Sequence, residues 1–168
     1  MIPLFLGLTL VNLLGLGATV TLGYARAGHD PAAASRHILV GALATIVCCG
    51  VHCVVFTYFV ATAKWVQHAI TVKHLDPALA APTRSFKAQA FPAALLAMAS
   101  VFAAAVMGAA ADNYAGPWPA RHHAAAWLAV AVNLAVAVIE YRAIARNGRL
   151  IDDLLARLGT GAEPAEIR

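Results

Sequence analysis

Apolar residues run along this chain in four long blocks, separated by short clusters of charge, glycine and proline. The block at 37–65, HILVGALATIVCCGVHCVVFTYFVATAKW, is the clearest. Between His37 and Lys64 its only ionisable groups besides the thiols and Tyr58 belong to His52. It exceeds the ~20 apolar residues that carry a helix across a ~30 Å hydrocarbon core. Comparable blocks cover 2–24, 91–111 and 123–144. The expected fold is all-α: a single domain over 1–168, an integral membrane bundle of four transmembrane helices with a cytoplasmic helical extension of the fourth.

Local signals place the ends of these elements. Gly28 and Pro31 interrupt the chain after the first span. The second helix is expected to continue through 67–73 beyond the membrane surface. Pro77 and Pro82 punctuate the longest connection, and Thr83 is a candidate N-cap for the third helix. Pro92 falls where that helix meets the membrane, and a local kink is tolerable there. Gly15, Thr19 and Gly23 in the first span, and Ala104 with Gly108 in the third, are spaced for close helix packing. The extension beyond residue 144 is amphipathic, with Ile144, Ile151, Leu155 and Leu158 at helical spacing. The end of the 145–168 tail, from Gly159 on, is expected to fray. No convincing internal repeat is read from the chain.

Composition agrees with this reading. The 168 residues are 61% hydrophobic and 12% charged, with a mean hydropathy of +0.73, whereas a soluble domain carries about 25% charged residues. Spans and short loops use nearly the whole chain, which excludes a separate soluble catalytic domain. The net charge of +4 is a matter of topology and anionic headgroups. No aromatic-interleaved basic groove exists, so nucleic acid is excluded as a partner. Lys/Arg residues are denser around Lys64, Lys73, Arg84 and Lys87 and at Arg142, Arg146 and Arg149 than around Arg26, Arg36 and Arg121. The positive-inside rule then puts both termini in the cytoplasm, in a bacterial inner membrane. Cys48, Cys49 and Cys53 all lie in the second span. They are poorly placed for disulfides and are read as small buried apolar side chains.

Candidate chemistry rests on histidine. An ionisable residue within a span faces protein, water or a ligand, and three readings of His52 compete. In one, it is a ligand of haem b or a transition metal inside the bundle, with His123 the best-placed second ligand. In another, it is a neutral core residue hydrogen-bonded to Asn12, Asn133 or a backbone carbonyl. In the third, it is a relay on a proton or solute path. His37, Asp112, His122 and His123 collect at the outer surface, where His37, Asp112 and His123 could join a metal site. Adjacent His122 and His123 should diverge, leaving only one to face a shared site. Lys64 and Glu140, near the inner ends of helices two and four, are expected to form an ion pair.

No phosphate loop, HExxH, CxxC or nucleophile elbow occurs, and no catalytic residue is assigned. The function expected is a small membrane subunit or anchor serving electron transfer. Its partners would be the lipid bilayer and either other membrane subunits or further copies of itself. A purely structural or assembly subunit is the alternative, and a small transporter or proton path the third reading. The layout is similar in general terms to small four-span bacterial proteins and to membrane anchors of respiratory enzymes, although the histidine spacing of those anchors is not reproduced.

Overall fold

The computed structural model describes residues 1–25 and 31–160. Gly28 and the 161–168 part of the tail lie outside the described residues. Four long helices account for nearly all the rest: α1 (Ile2–Ala25), α2 (Pro31–Val72), α3 (Ala81–Asn113) and α4 (Trp118–Thr160). All four are long and apolar enough to cross a membrane. They pack as an up-down bundle in which α1 neighbours α2 and α4, and α3 neighbours α2 and α4. The side chains of α2 and α4 meet across the diagonal. One end of the bundle, the hairpin end, holds the last residues of α1 and α3 and the first residues of α2 and α4. The other, basal, end carries the α2–α3 connection.

The helices are longer than the apolar blocks. At ~1.5 Å per residue, the 42 residues of α2 reach about 63 Å, roughly twice a ~30 Å hydrocarbon core. The surplus at the basal end is held by its own packing. Val66 and Ile70 of α2 bury against Leu154 of α4, with Leu75 and Leu79 alongside. Leu154 takes the central position of this extension, while Leu155 is exposed. A single 3₁₀ turn, Pro77–Ala80, leads into α3, and the Asp76 carboxylate caps it by accepting from the Ala78 amide at 2.8 Å. That turn displaces the expected cap: α3 starts two residues before Thr83, with Pro82 in its first turn, where a missing N–H costs nothing. The Thr83 hydroxyl instead donates to the Ala80 carbonyl. Farther along, α3 continues through Pro92.

The core reveals a repeat. The buried positions of α1, Phe5, Asn12 and Leu16, shifted by 85 residues, are Ala90, Ala97 and Val101, all buried in α3. On α2, Ala44, Cys48, Val51, Val55 and Phe59 map in the same way onto Ala129, Asn133, Val136, Glu140 and Ile144 of α4, all buried. Two hydrogen-bonded pairs, Cys48 with Asn133 and Thr62 with Asn147, join residues separated by that same 85. The α1–α2 hairpin thus corresponds to the α3–α4 hairpin, around a pseudo-two-fold axis along the bundle. Corresponding helices run in the same direction, as in parallel repeats. The sequence retains traces of it: Arg36-His37 and Arg121-His122 are each followed, at equal spacing, by Leu-Ala, Val and Val.

Candidate functional site

Two polar centres stand out, one at the hairpin end and one in the middle of the bundle. At the hairpin end, His37 of α2 and His122 of α4 correspond under the 85-residue shift, and their rings meet near the axis. The centroids are 5.9 Å apart and the planes inclined by 74°. Each imidazole is oriented in the same way. His37 Nδ1 donates to the Thr19 carbonyl at 3.1 Å, and His122 Nδ1 donates to the Ala104 carbonyl at 3.0 Å, each acceptor lying 18 residues earlier. A carbonyl only accepts, so each ring carries a proton on Nδ1.

Glycine makes room for both rings. A Cβ at Gly23 would stand 3.1 Å from His37 Cε1, and one at Gly108 would stand 3.0 Å from His122 Cε1. The small-residue spacing noted in the sequence therefore accommodates imidazole as well as a neighbouring helix. The two histidines open onto a cavity of about 440 Å³ whose wall is mainly apolar, with Thr19, Tyr24, Asp112 and His123 adding polar groups. That volume is in the ~300–1,000 Å³ range of small-molecule and cofactor sites.

Most of the expected outer cluster is therefore gathered around one cavity. His123 lies over Tyr24, with ring centroids 5.3 Å apart, and Tyr24 accepts a hydrogen bond from the Trp127 indole. His122 and His123 both reach the cavity, because a groove between two hairpins admits side chains diverging from one helix turn. No group of three or more His, Cys, Asp or Glu positioned to hold a metal ion occurs among the described residues.

The second centre is His52 with Glu140. His52 Nδ1 and Glu140 Oε1 are 2.8 Å apart, and both residues are buried, at 2% and 1% exposure. Lys64, the expected partner of Glu140, is exposed on α2. The repeat explains the difference: Glu140 corresponds to Val55, in the middle of α2, whereas Lys64 corresponds to Arg149 at the basal end. Glu140 is thus more than two helical turns deeper than its sequence neighbourhood suggested.

Asn12 and Asn133 also have other partners than His52. Asn133 Oδ1 accepts from Asn12 Nδ2 at 3.0 Å and from the Cys48 thiol at 3.3 Å, while Asn133 Nδ2 donates to the Ala129 carbonyl. Cys48 is buried, Cys49 is half-buried and Cys53 is exposed; all three are free thiols. Toward the base, Asn147 donates to the Thr62 hydroxyl at 3.0 Å. Three buried side-chain atoms lack a hydrogen-bond partner among the described residues: Asn12 Oδ1, His52 Nε2 and Asn147 Oδ1.

His52 does not line the cavity at the hairpin end, and His123 does, so these two histidines occupy different levels of the bundle. The histidine whose ring meets His37 is His122. The repeated Arg-His was the available signal. No family model, curated protein or solved structure matches this chain.

Proposed function

We propose that this protein is a small integral membrane subunit that binds haem b between its two hairpins, through His37 and His122, and serves electron transfer. The observation carrying this reading is the imidazole pair itself: two equivalent rings, each fixed by a backbone carbonyl, facing a cavity beside two glycines. The two ring centroids are 5.9 Å apart, in edge contact. Haem supplies four nitrogens of its own and asks the protein for one or two axial ligands, whereas a bare structural ion usually asks for four. Two histidines therefore favour haem over a simple metal ion.

The rest of the reading follows from the length and polarity of the helices. The Lys/Arg excess on the basal extensions of α2 and α4 supports a cytoplasmic basal end by the positive-inside rule, with the histidine pair then near the outer leaflet of a bacterial inner membrane. Electrons would pass to or from other membrane subunits or further copies of the chain. Visible spectroscopy of the purified protein, expressed with haem available, tests this reading. The wild type and His52→Ala should show a Soret band, and His37→Ala and His122→Ala should lose it. A colourless wild type would leave a structural or assembly subunit as the better account.

A further inference from the structure

The cavity with its paired histidines leaves the central His52–Glu140 contact without a role. We propose that His52 and Glu140 form a proton-binding site at the centre of the bundle, exchanging its proton with the cavity at the hairpin end along a route past Asn12, Asn133 and Cys48. This does not depend on haem.

The route follows from the levels of the side chains. Ala44 and Ala129 belong to the inner wall of the cavity. One turn below them, ~6 Å along the helices, come Cys48 and Asn133, joined to each other and to Asn12. A further turn along α2 is His52. Among the described residues, two atoms at these last two levels lack hydrogen-bond partners, Asn12 Oδ1 and His52 Nε2. A buried polar atom left unpaired in a membrane costs several kcal/mol. One beside the Cys48–Asn133 contact and one on the imidazole itself mark a path for something that hydrogen-bonds in transit.

The chemistry of the pair favours a proton. A neutral His52 donates Nδ1–H to the Glu140 carboxylate, and the pair carries a net charge of −1. A proton arriving from the cavity forms an N–H bond at Nε2. The pair is then an imidazolium against a carboxylate, with a net charge of zero, and the Nδ1–H···Oε1 contact is unchanged. Burial favours that neutral total over a net charge of −1, so the pair can hold the added proton.

Few other charges face the pair. Along α3 no ionisable side chain lies between Lys87 and Asp112, and α1 has none between its first residue and Tyr24. On α2 the titratable neighbours are thiols: Cys48, with its thiol on Asn133, half-buried Cys49 and exposed Cys53. On α4, Tyr141 and Arg142 follow Glu140 and are exposed.

Nitrogen NMR of protein labelled at histidine nitrogens, in lipid nanodiscs without added cofactor, tests the proposal. Wild-type His52 should titrate between neutral and doubly protonated forms, and Glu140→Gln should hold it neutral across the same pH range. The path is tested by the exchange rate of the Nε2 proton with solvent. Asn133→Leu should slow it at least roughly tenfold, equivalent to ~1.4 kcal/mol of barrier, and Asn12→Leu provides a second variant if Asn133→Leu misfolds. A His52 that stays neutral in the wild type, or titrates equally in Glu140→Gln, would overturn the site. Unchanged exchange in the folded Asn variants would overturn the route.

Discussion

The two hairpins share a framework and differ in what they place on it. Both carry an Arg-His pair at the start of the long helix, a glycine facing the imidazole, and a carbonyl that receives its Nδ1 proton. Deeper in the core the equivalence breaks down. Asn12 corresponds to Ala97, His52 to Ala137 and Val55 to Glu140. The first hairpin thus supplies the imidazole and the second the carboxylate, and each is opposite an apolar residue in the other copy. Symmetry holds where two like imidazoles meet and fails where an imidazole meets a carboxylate. Equivalent positions in a repeat can therefore separate a shared task from a divided one.

The sharpest way to break this comparison is at the symmetric histidines. His37→Ala and His122→Ala should each remove the Soret band almost completely. Retention of the band in one variant alone would show that the hairpins are unequal there.

Next in size comes the divided pair. Glu140→Leu leaves His52 buried without its partner, and breaking a buried pair costs about 3–5 kcal/mol. The double variant His52→Leu with Glu140→Leu should recover much of that loss in thermal melts in detergent. A double variant less stable than the single would show that the two residues do not act together.

A smaller effect compares the two glycines. Gly23→Ala and Gly108→Ala each push a methyl against an imidazole, and overpacking of this sort costs about 1–3 kcal/mol. Similar losses are expected for both, and a haem spectrum altered by only one would sharpen the assignment of ligands. Asn133→Ala removes contacts to Asn12 and Cys48 together and should exceed Asn12→Ala. Interhelical polar contacts of this kind contribute about 0.6–2 kcal/mol. The smallest change is expected for Lys64→Ala, within about 0.5 kcal/mol, as at surface positions away from packing or paired charges. A loss as large as that of Glu140→Leu would restore the Lys64–Glu140 pairing.

Four helices were legible because apolar runs of this length have few other uses, and the breaks at Pro31 and between Pro77 and Pro82 marked their ends. The basal extension of α4 was visible in its spacing, though Leu154 rather than Leu155 turned inward. Depth was harder to read. A helix can cross at any register, so the last apolar block put Glu140 at a boundary, and only its alignment with α2 moves it to the centre. The repeat escaped notice because just a few of its positions keep the same residue: burial fixes size and polarity, leaving Phe5 free to correspond to Ala90 and Leu16 to Val101. His52 was found as an isolated polar group in an apolar run. Its partner was hidden among the arginines that follow Glu140.

The parallel repeat also has a topological consequence. A hairpin contains an even number of crossings, so it returns the chain to its starting side, and a second copy joined behind it enters in the same direction. A segment as short as that between Val72 and Ala81 therefore suffices to join the two hairpins, with no inversion of either one.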